Sequence, residues 1–239
     1  IEKKIILKIA MEAVILAGGF GKRLRSSVPN SPKAMAQIGR VPFLEILLKK
    51  LQKKGFSRVI ISTFYKGKII KEYFGDSFLG MSITYSNDQK ALGTGGALRA
   101  AEEICNENHY YVFNGDTFFD VDIQLMESFW SRNKKPILVA TEVKNCERFG
   151  TIKIERNYLA GFDEKKTKSS GLINAGCYLF PNNFLQDWEL GQTFSLEKDL
   201  LQKIFHFNKI MCLKMDGLFI DIGIPEDYNR AQILLKDEI

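Results

Sequence analysis

Histidine is almost missing from this chain of 239 residues, which holds only His109 and His206. The four cysteines, Cys105, Cys146, Cys177 and Cys212, lie far apart and form no C-x-x-C pair. Together these scarcities argue against a zinc centre. Isolated thiols of this kind fit a reducing, cytoplasmic setting. No apolar run reaches the roughly 18 residues that a membrane span needs. The opening Ile1–Ala10 mixes lysines with isoleucines and has neither a long apolar core nor a small-residue cleavage site, so it reads poorly as a signal peptide. Met11 directly precedes the first strand-like run, which marks residues 1–10 as an extension outside the core. No repeat, low-complexity tract or linker interrupts the remainder, so residues 11–239 are expected to form one domain.

What is present is ordinary for a globular chain: 45% hydrophobic and 26% charged residues. A formal charge of +6 suits polyanionic ligands without separating nucleic acid from small phosphates. No nucleic-acid reading motif is recognised, and the basic residues interleave with acids, so nucleic acid is not the expected partner. Self-association into a homo-oligomer is left open.

Strand and helix signals alternate along the first half. Glu12–Ala17 is the continuous apolar run of a strand buried on both faces. Phe43–Lys54 sets Phe43, Leu44, Leu47, Leu48 and Leu51 on one helical face, with Gly55 as a stop. Arg58–Thr63, Ser82–Ser86 and Tyr110–Asn114 read as strands, and Lys66–Phe74 and Gly95–Ile104 as helices. This order predicts right-handed crossovers and a mostly parallel sheet with helices on both sides. From about residue 137 the strands Ile137–Val143, Thr151–Glu155 and Ile173–Phe180 are separated only by turns, so a small antiparallel portion is expected there. Ser195–Phe205 and Pro225–Leu235 read as the closing helices.

The first strand runs into Gly18-Gly19-Phe20-Gly21-Lys22-Arg23-Leu24, at the carboxyl edge of the sheet where ligands of open α/β folds bind. Backbone amides without side chains approach phosphate closely, and Lys22, Arg23 and Arg25 add positive charge. A dinucleotide G-x-G-x-x-G needs glycine where Leu24 stands, and a Walker A loop needs it where Leu16 stands; both fail on spacing. The nicotinamide-dependent oxidoreductases therefore keep only the α/β alternation in their favour. Two carboxylates stand out. Asp116 follows Asn114-Gly115 at the end of a strand, and Asp221 interrupts the apolar run Phe219–Gly223. An acid inside such a run costs free energy unless it is paired or holds a cation. Mg²⁺ takes one or two carboxylates plus phosphate oxygens and water, so these two suffice for one ion. The plainer alternatives are a turn or cap role for Asp116, and a lysine salt bridge for Asp221.

Ser31-Pro32-Lys33 lies in the same long loop as the glycines. The string L-A-G-G-x-G-x-R-L (Leu16–Leu24) followed by Pro32-Lys33 resembles the opening of the sugar-phosphate nucleotidyltransferase family, and the resemblance runs from about Glu12 to Gln232. It implies a Rossmann-like three-layer α/β/α sandwich and transfer of a nucleotidyl group from a nucleoside triphosphate to a sugar 1-phosphate. Many members carry Ser or Thr at the position of Lys22, so a hydroxyl contact there gives way to a cation. The resemblance implies nucleotide contacts at Leu16, Ala17, Gly18, Gly19, Gly21, Lys22, Asn114 and Gly115. It also implies base and ribose contacts at Gly93, Thr94 and Gly95, where glycines would let the base lie against backbone, with an acidic residue, Asp88, upstream. Asp116 and Asp221 take the places of the two Mg²⁺-holding aspartates. On the acceptor side it implies Gly150, Glu164, Lys165, Asn174, Gly176 and Glu197. Lys166 replaces the proline that often follows Glu-Lys.

The strings Asn114–Asp122, Gly171–Asn174 and Phe219–Tyr228 resemble the heptose 1-phosphate guanylyltransferase branch of that family, which implies GTP and a heptose 1-phosphate destined for surface polysaccharide. The glycine loops themselves do not choose among the four bases. In the implied reaction a sugar-phosphate oxygen attacks the α-phosphorus and expels pyrophosphate. That nucleophile is already an anion, so no general base is needed and the scarcity of histidine is consistent with the chemistry. Arg23 would hold the leaving pyrophosphate, Lys33 the α-phosphate and Lys165 the incoming phosphate. Two alternatives stay open: the same fold using CTP, UTP or ATP with a hexose 1-phosphate, and a regulatory protein that binds a nucleotide sugar without turning it over.

Overall fold

The chain folds around one long mixed sheet, seen in a computed structural model that describes residues 10–25, 27–163, 170–207 and 209–239. In chain order the first half comprises β1 (Met11–Leu16), β2 (Gln37–Ile38), β3 (Val41–Pro42), α1 (Phe43–Lys53), β4 (Phe56–Thr63), α2 (Gly67–Phe74), β5 (Ser77–Phe78), β6 (Met81–Asn87), α3 (Gly93–Glu102) and β7 (His109–Asn114). The second half comprises β8 (Thr117–Phe119), α4 (Ile123–Asn133), β9 (Ile137–Val143), β10 (Thr151–Glu155), β11 (Tyr158–Asp163) and β12 (Gly171–Pro181). A π-helical turn (Leu196–Leu201) then leads into α5 (Gln202–Ile204), β13 (Met211–Lys214), β14 (Phe219–Asp221) and α6 (Pro225–Leu234).

The sheet order is β10-β11-β13-β9-β12-β7-β1-β4-β6-β5. β7, β1, β4 and β6 pair in parallel, as the alternating first half predicts. β12 joins β7 antiparallel, and the strands beyond it mix both senses, since β9 and β13 pair in parallel. Period-two alternation sends Ala13, Ile15, Tyr111 and Phe113 to one apolar cluster, shared with Leu44, Leu48 and Leu51 of α1. Val14, Tyr110 and Val112 point to the opposite cluster, shared with Leu98 and Ala101 of α3. Both faces are covered, which gives the three-layer α/β/α sandwich. The acid in the first strand is satisfied as its burial demands: Glu12 is 2% exposed, pairs with Arg58 and accepts from the amides of Asn106 and Glu107.

One expectation is corrected in detail, and one pairing is added. Ser195–Phe205 is not a plain α-helix. Ser195 caps it by accepting from the Lys198 amide, but the first turns are π-helical, and only Gln202–Ile204 is α-helical. The short strands β8 and β14, invisible to periodicity, form their own antiparallel pair. Among the described residues no helix is long and apolar enough to cross a membrane.

Candidate active site

The pair β8–β14 explains how two distant carboxylates meet. Its register sets Asp221 opposite Thr117, and the Ile222 amide donates to the Asp116 carbonyl at 3.0 Å. Asp116, in the turn between β7 and β8, therefore shares an edge with the last residue of β14. Lys33 opens a 3₁₀ turn after Pro32 and reaches between them. Its Nζ lies 2.5 Å from Asp116 Oδ2 and 3.5 Å from Asp221 Oδ1. The Gly223 amide donates to the same Asp221 oxygen at 2.5 Å. One ammonium stands between two carboxylates in a partly buried corner. The donor set is hard, anionic and oxygen-only, which is the chemistry that suits Mg²⁺. Asp120 and Asp122 are spent elsewhere, on Lys50 and Lys54 and on capping α4 through the Leu125 amide.

Lys33 and Asp116 line a cavity of about 270 Å³ at the carboxyl edge of the parallel strands. Leu16, Ala17, Gly18 and Gly19 form its wall on the β1 side, and Asn114 and Gly115 on the β7 side. Asp88, Gly93 and Thr94 line the far end. Burial alone pushes the Asp88 carboxyl up to about 6. Three of the expected nucleotide residues stand apart. Gly21 and the exposed Lys22 do not line the cavity, and Lys22 lies over the Phe20 ring. Gly95 does not line it either, for a packing reason: a Cβ there would strike the Phe194 ring at 2.2 Å. A Cβ on Gly96 would meet the Gln192 carbonyl at 2.2 Å. These glycines make room for the returning segment 192–194, whose Phe194 carbonyl accepts from the Gly95 and Gly96 amides.

Arg23 is exposed, in the 3₁₀ turn Lys22–Leu24. Close by lies a residue that sequence reasoning missed, Arg148. Burial lowers its proton affinity, opposed by Asp221 and reinforced by Arg23, so these three charges share one neighbourhood. Arg148 pairs with Asp227 in the first turn of α6. Ser62 was also missed; it is fully buried, lines the cavity, and its hydroxyl has no hydrogen-bond partner among the described residues. Its place at the carboxyl end of β4 was the available signal.

On the acceptor side, Gly150 is exposed and follows Phe149, whose ring packs edge-on against Phe219 of β14 at 5.4 Å. Asn174 donates to the Tyr178 hydroxyl at 2.7 Å and accepts from the Gly176 amide at 2.9 Å. Gly176 has φ +70°, and a Cβ would meet Asn114 Nδ2 at 2.6 Å, so only glycine lets β12 pass this close to the β7 end. Glu197 accepts from Thr94 Oγ1 at 2.8 Å, which brings it to the cavity's far end. Glu164 and Lys165 lie outside the described residues.

With this geometry in place, comparison with known proteins is direct. Residues 12–238 match the family model described as nucleotidyl transferase. The chain is 43% identical to D-glycero-alpha-D-manno-heptose 1-phosphate guanylyltransferase of Aneurinibacillus thermoaerophilus, over 96% of this chain and 100% of that one. It is 41% identical to the enzyme of the same name from Campylobacter jejuni, over 91% and 97%. The crystal structure of HddC from Yersinia pseudotuberculosis complexed with GMP-PN superposes with a TM-score of 0.82 at 32% identity, covering 95% of this chain and 100% of that one. A match over nearly the full length, with identities of this size, places the chain in the nucleotidyl transferase family.

Proposed function

We propose that this enzyme transfers GMP from GTP to D-glycero-α-D-manno-heptose 1-phosphate, giving the GDP-sugar and pyrophosphate, with residues 11–239 acting as one catalytic unit. The convergence of Lys33, Asp116 and Asp221 at a cavity walled by the glycine loop carries the reading. The near full-length relatives, both named heptose 1-phosphate guanylyltransferases, support the choice of substrates.

The site chemistry follows from charge. A sugar-phosphate oxygen attacks the α-phosphorus, a P–O bond forms, and the bond to the bridging oxygen of pyrophosphate breaks. Lys33 leaves the carboxylates to meet the α-phosphate oxygens, so its charge serves where negative charge develops. Arg23, with Arg148 beside it, holds the departing pyrophosphate. Asp116 and Asp221 would hold Mg²⁺, which supplies positive charge against the phosphate oxygens. Asn174, Gly176, Glu197 and Gly150 orient the sugar, and Glu164 and Lys165 complete the acceptor side.

Asp88 supplies the preference for guanine. Among the four bases only guanine presents two adjacent donors, N1–H and N2–H, on its pairing edge, and a carboxylate accepts both. Uracil offers one donor between two acceptors, and adenine and cytosine pair a donor with an acceptor.

Pyrophosphate release from each of the four nucleoside triphosphates, measured against a panel of sugar 1-phosphates that includes the heptose, tests the proposal. GTP with the heptose 1-phosphate should dominate. Turnover with CTP or UTP and none with GTP overturns the base assignment. An Asp116→Asn variant that keeps near-normal turnover overturns the site.

A further inference from the structure

The hydroxyl of Thr94 faces away from its expected duty. It donates to Glu197 Oε2 at 2.8 Å and accepts from the Leu196 amide at 2.9 Å. Ser195 donates to the same Glu197 oxygen at 3.0 Å, and Asp199 in turn accepts from the Ser195 amide at 2.7 Å. Tyr178, fully buried on β12, accepts from Asn174 through its hydroxyl, and burial together with the nearby Glu197 charge holds its phenol protonated. A hydrogen-bonded cluster thus joins Thr94, on the nucleotide cavity, to Glu197, and the Tyr178–Asn174 pair lies within reach of the Glu197 charge. Its backbone frame is equally close. The Leu92 carbonyl accepts from the Phe194 amide at 3.0 Å, and the side-chain-free Gly95 and Gly96 admit that segment. A charged acceptor held by two hydroxyls in a half-buried site has one strongly preferred orientation.

We propose that Thr94 is a positioning residue: its hydroxyl fixes the Glu197 carboxylate, so that the first turn of α3, which borders the nucleotide, also sets the geometry that receives the sugar. This rests on the reading of Glu197 as an acceptor-side residue. The threonine methyl and backbone can still border the nucleotide, but the polar atom serves the other substrate.

Steady-state kinetics with GTP and D-glycero-α-D-manno-heptose 1-phosphate test it, using Thr94→Val, Thr94→Ser, Glu197→Ala and the Thr94→Val/Glu197→Ala double variant. Thr94→Val should raise KM for the sugar phosphate about 10-fold or more, the usual scale for losing a hydrogen bond to a charged group, with KM for GTP changed less than about 2-fold. Thr94→Ser, which keeps the hydroxyl, should restore the sugar-phosphate KM. Because Thr94 acts through Glu197, its substitution should add less than about 2-fold once Glu197 is alanine. Thr94→Ala, which also removes the hydroxyl, should give the same acceptor-only rise and serves if Thr94→Val does not fold. Equal effects on both KM values, or a Thr94→Val penalty undiminished beside Glu197→Ala, overturn the proposal and leave the acceptor reading intact. A wild-type sugar-phosphate KM in Glu197→Ala removes the acceptor reading itself, and this proposal with it.

Discussion

Lowering the pH below about 6 is expected to weaken GTP binding through one side chain, Asp88. The carboxyl lines the nucleotide cavity, and burial raises it from 3.8 to about 6. Guanine needs the ionised form, since only the carboxylate accepts from both N1–H and N2–H. At pH 5 the free enzyme carries that form about one time in ten, so the apparent Kd should stand about 10-fold above its value at pH 8. Isothermal titration calorimetry with GTP across pH 5 to 8 measures this directly. The triphosphate has its own ionisation in that range. Asp88→Asn shares the ligand's ionisation and lacks the carboxyl, so the difference between the two proteins isolates Asp88. At pH 8 the variant should bind GTP about 10- to 100-fold more weakly, the scale of losing hydrogen bonds to a charged acceptor. Stability runs the other way. A folded-state value raised above the unfolded one contributes stability that is full below about pH 4 and is lost as pH rises through about 6. Asp88→Asn should therefore melt higher than wild type at pH 8, modestly because the group is partly exposed, and lose that advantage near pH 4. A wild-type minus variant difference in GTP affinity that is flat from pH 5 to 8 refutes the assignment of Asp88 to the base.

Lys33→Met removes the ammonium shared by Asp116 and Asp221, so kcat should fall about 10²–10³-fold. The same variant should show a lower Tm that climbs with added Mg²⁺ more steeply than wild type does; an unchanged Mg²⁺ response in thermal melts counts against a shared cation site. Gly96→Ala places a Cβ 2.2 Å from the Gln192 carbonyl and should cost about 1–3 kcal/mol in urea unfolding, whereas a neutral result means segment 192–194 shifts freely. Burial pushes Cys105, Cys177 and Cys212 up to about 12, so iodoacetamide at pH 8 should label them only after denaturation, as peptide mass spectrometry reads out.

The parallel half was legible because its signals are local. A continuous apolar run, a helical face such as Phe43–Leu51 and a glycine stop each need only a few neighbouring residues to be read. The same holds for the glycine loop after β1 and for Asp116 at the end of β7, since the carboxyl edge of a parallel sheet is set by strand direction alone. What stayed hidden depends on segments that return from far along the chain. Strands β8 and β14 have three residues each, too few to show a period, yet their register sets Asp221 beside Thr117. Gly95 looked like space for a base because a sequence shows that a side chain is missing and not what fills the gap. Arg148 was missed, and Thr94 was read only as a nucleotide contact, because their partners, Asp227 and Glu197, lie on later elements.

The hidden contacts share one feature that bears on function. The first half builds the cavity wall, but neither Asp221 nor Glu197, the carboxylate proposed for the acceptor, belongs to it. Asp221 arrives on β14, and Glu197 arrives on the segment that packs against α3. Each return is locked to the nucleotide side by a specific hydrogen bond, the Ile222 amide to the Asp116 carbonyl and Thr94 Oγ1 to Glu197. A half-chain lacking these segments would keep the glycine loop and lose both the paired carboxylates and Glu197. The proposed chemistry on a phosphate between the halves therefore depends on the two returning segments as directly as on the loop that first suggested a nucleotide.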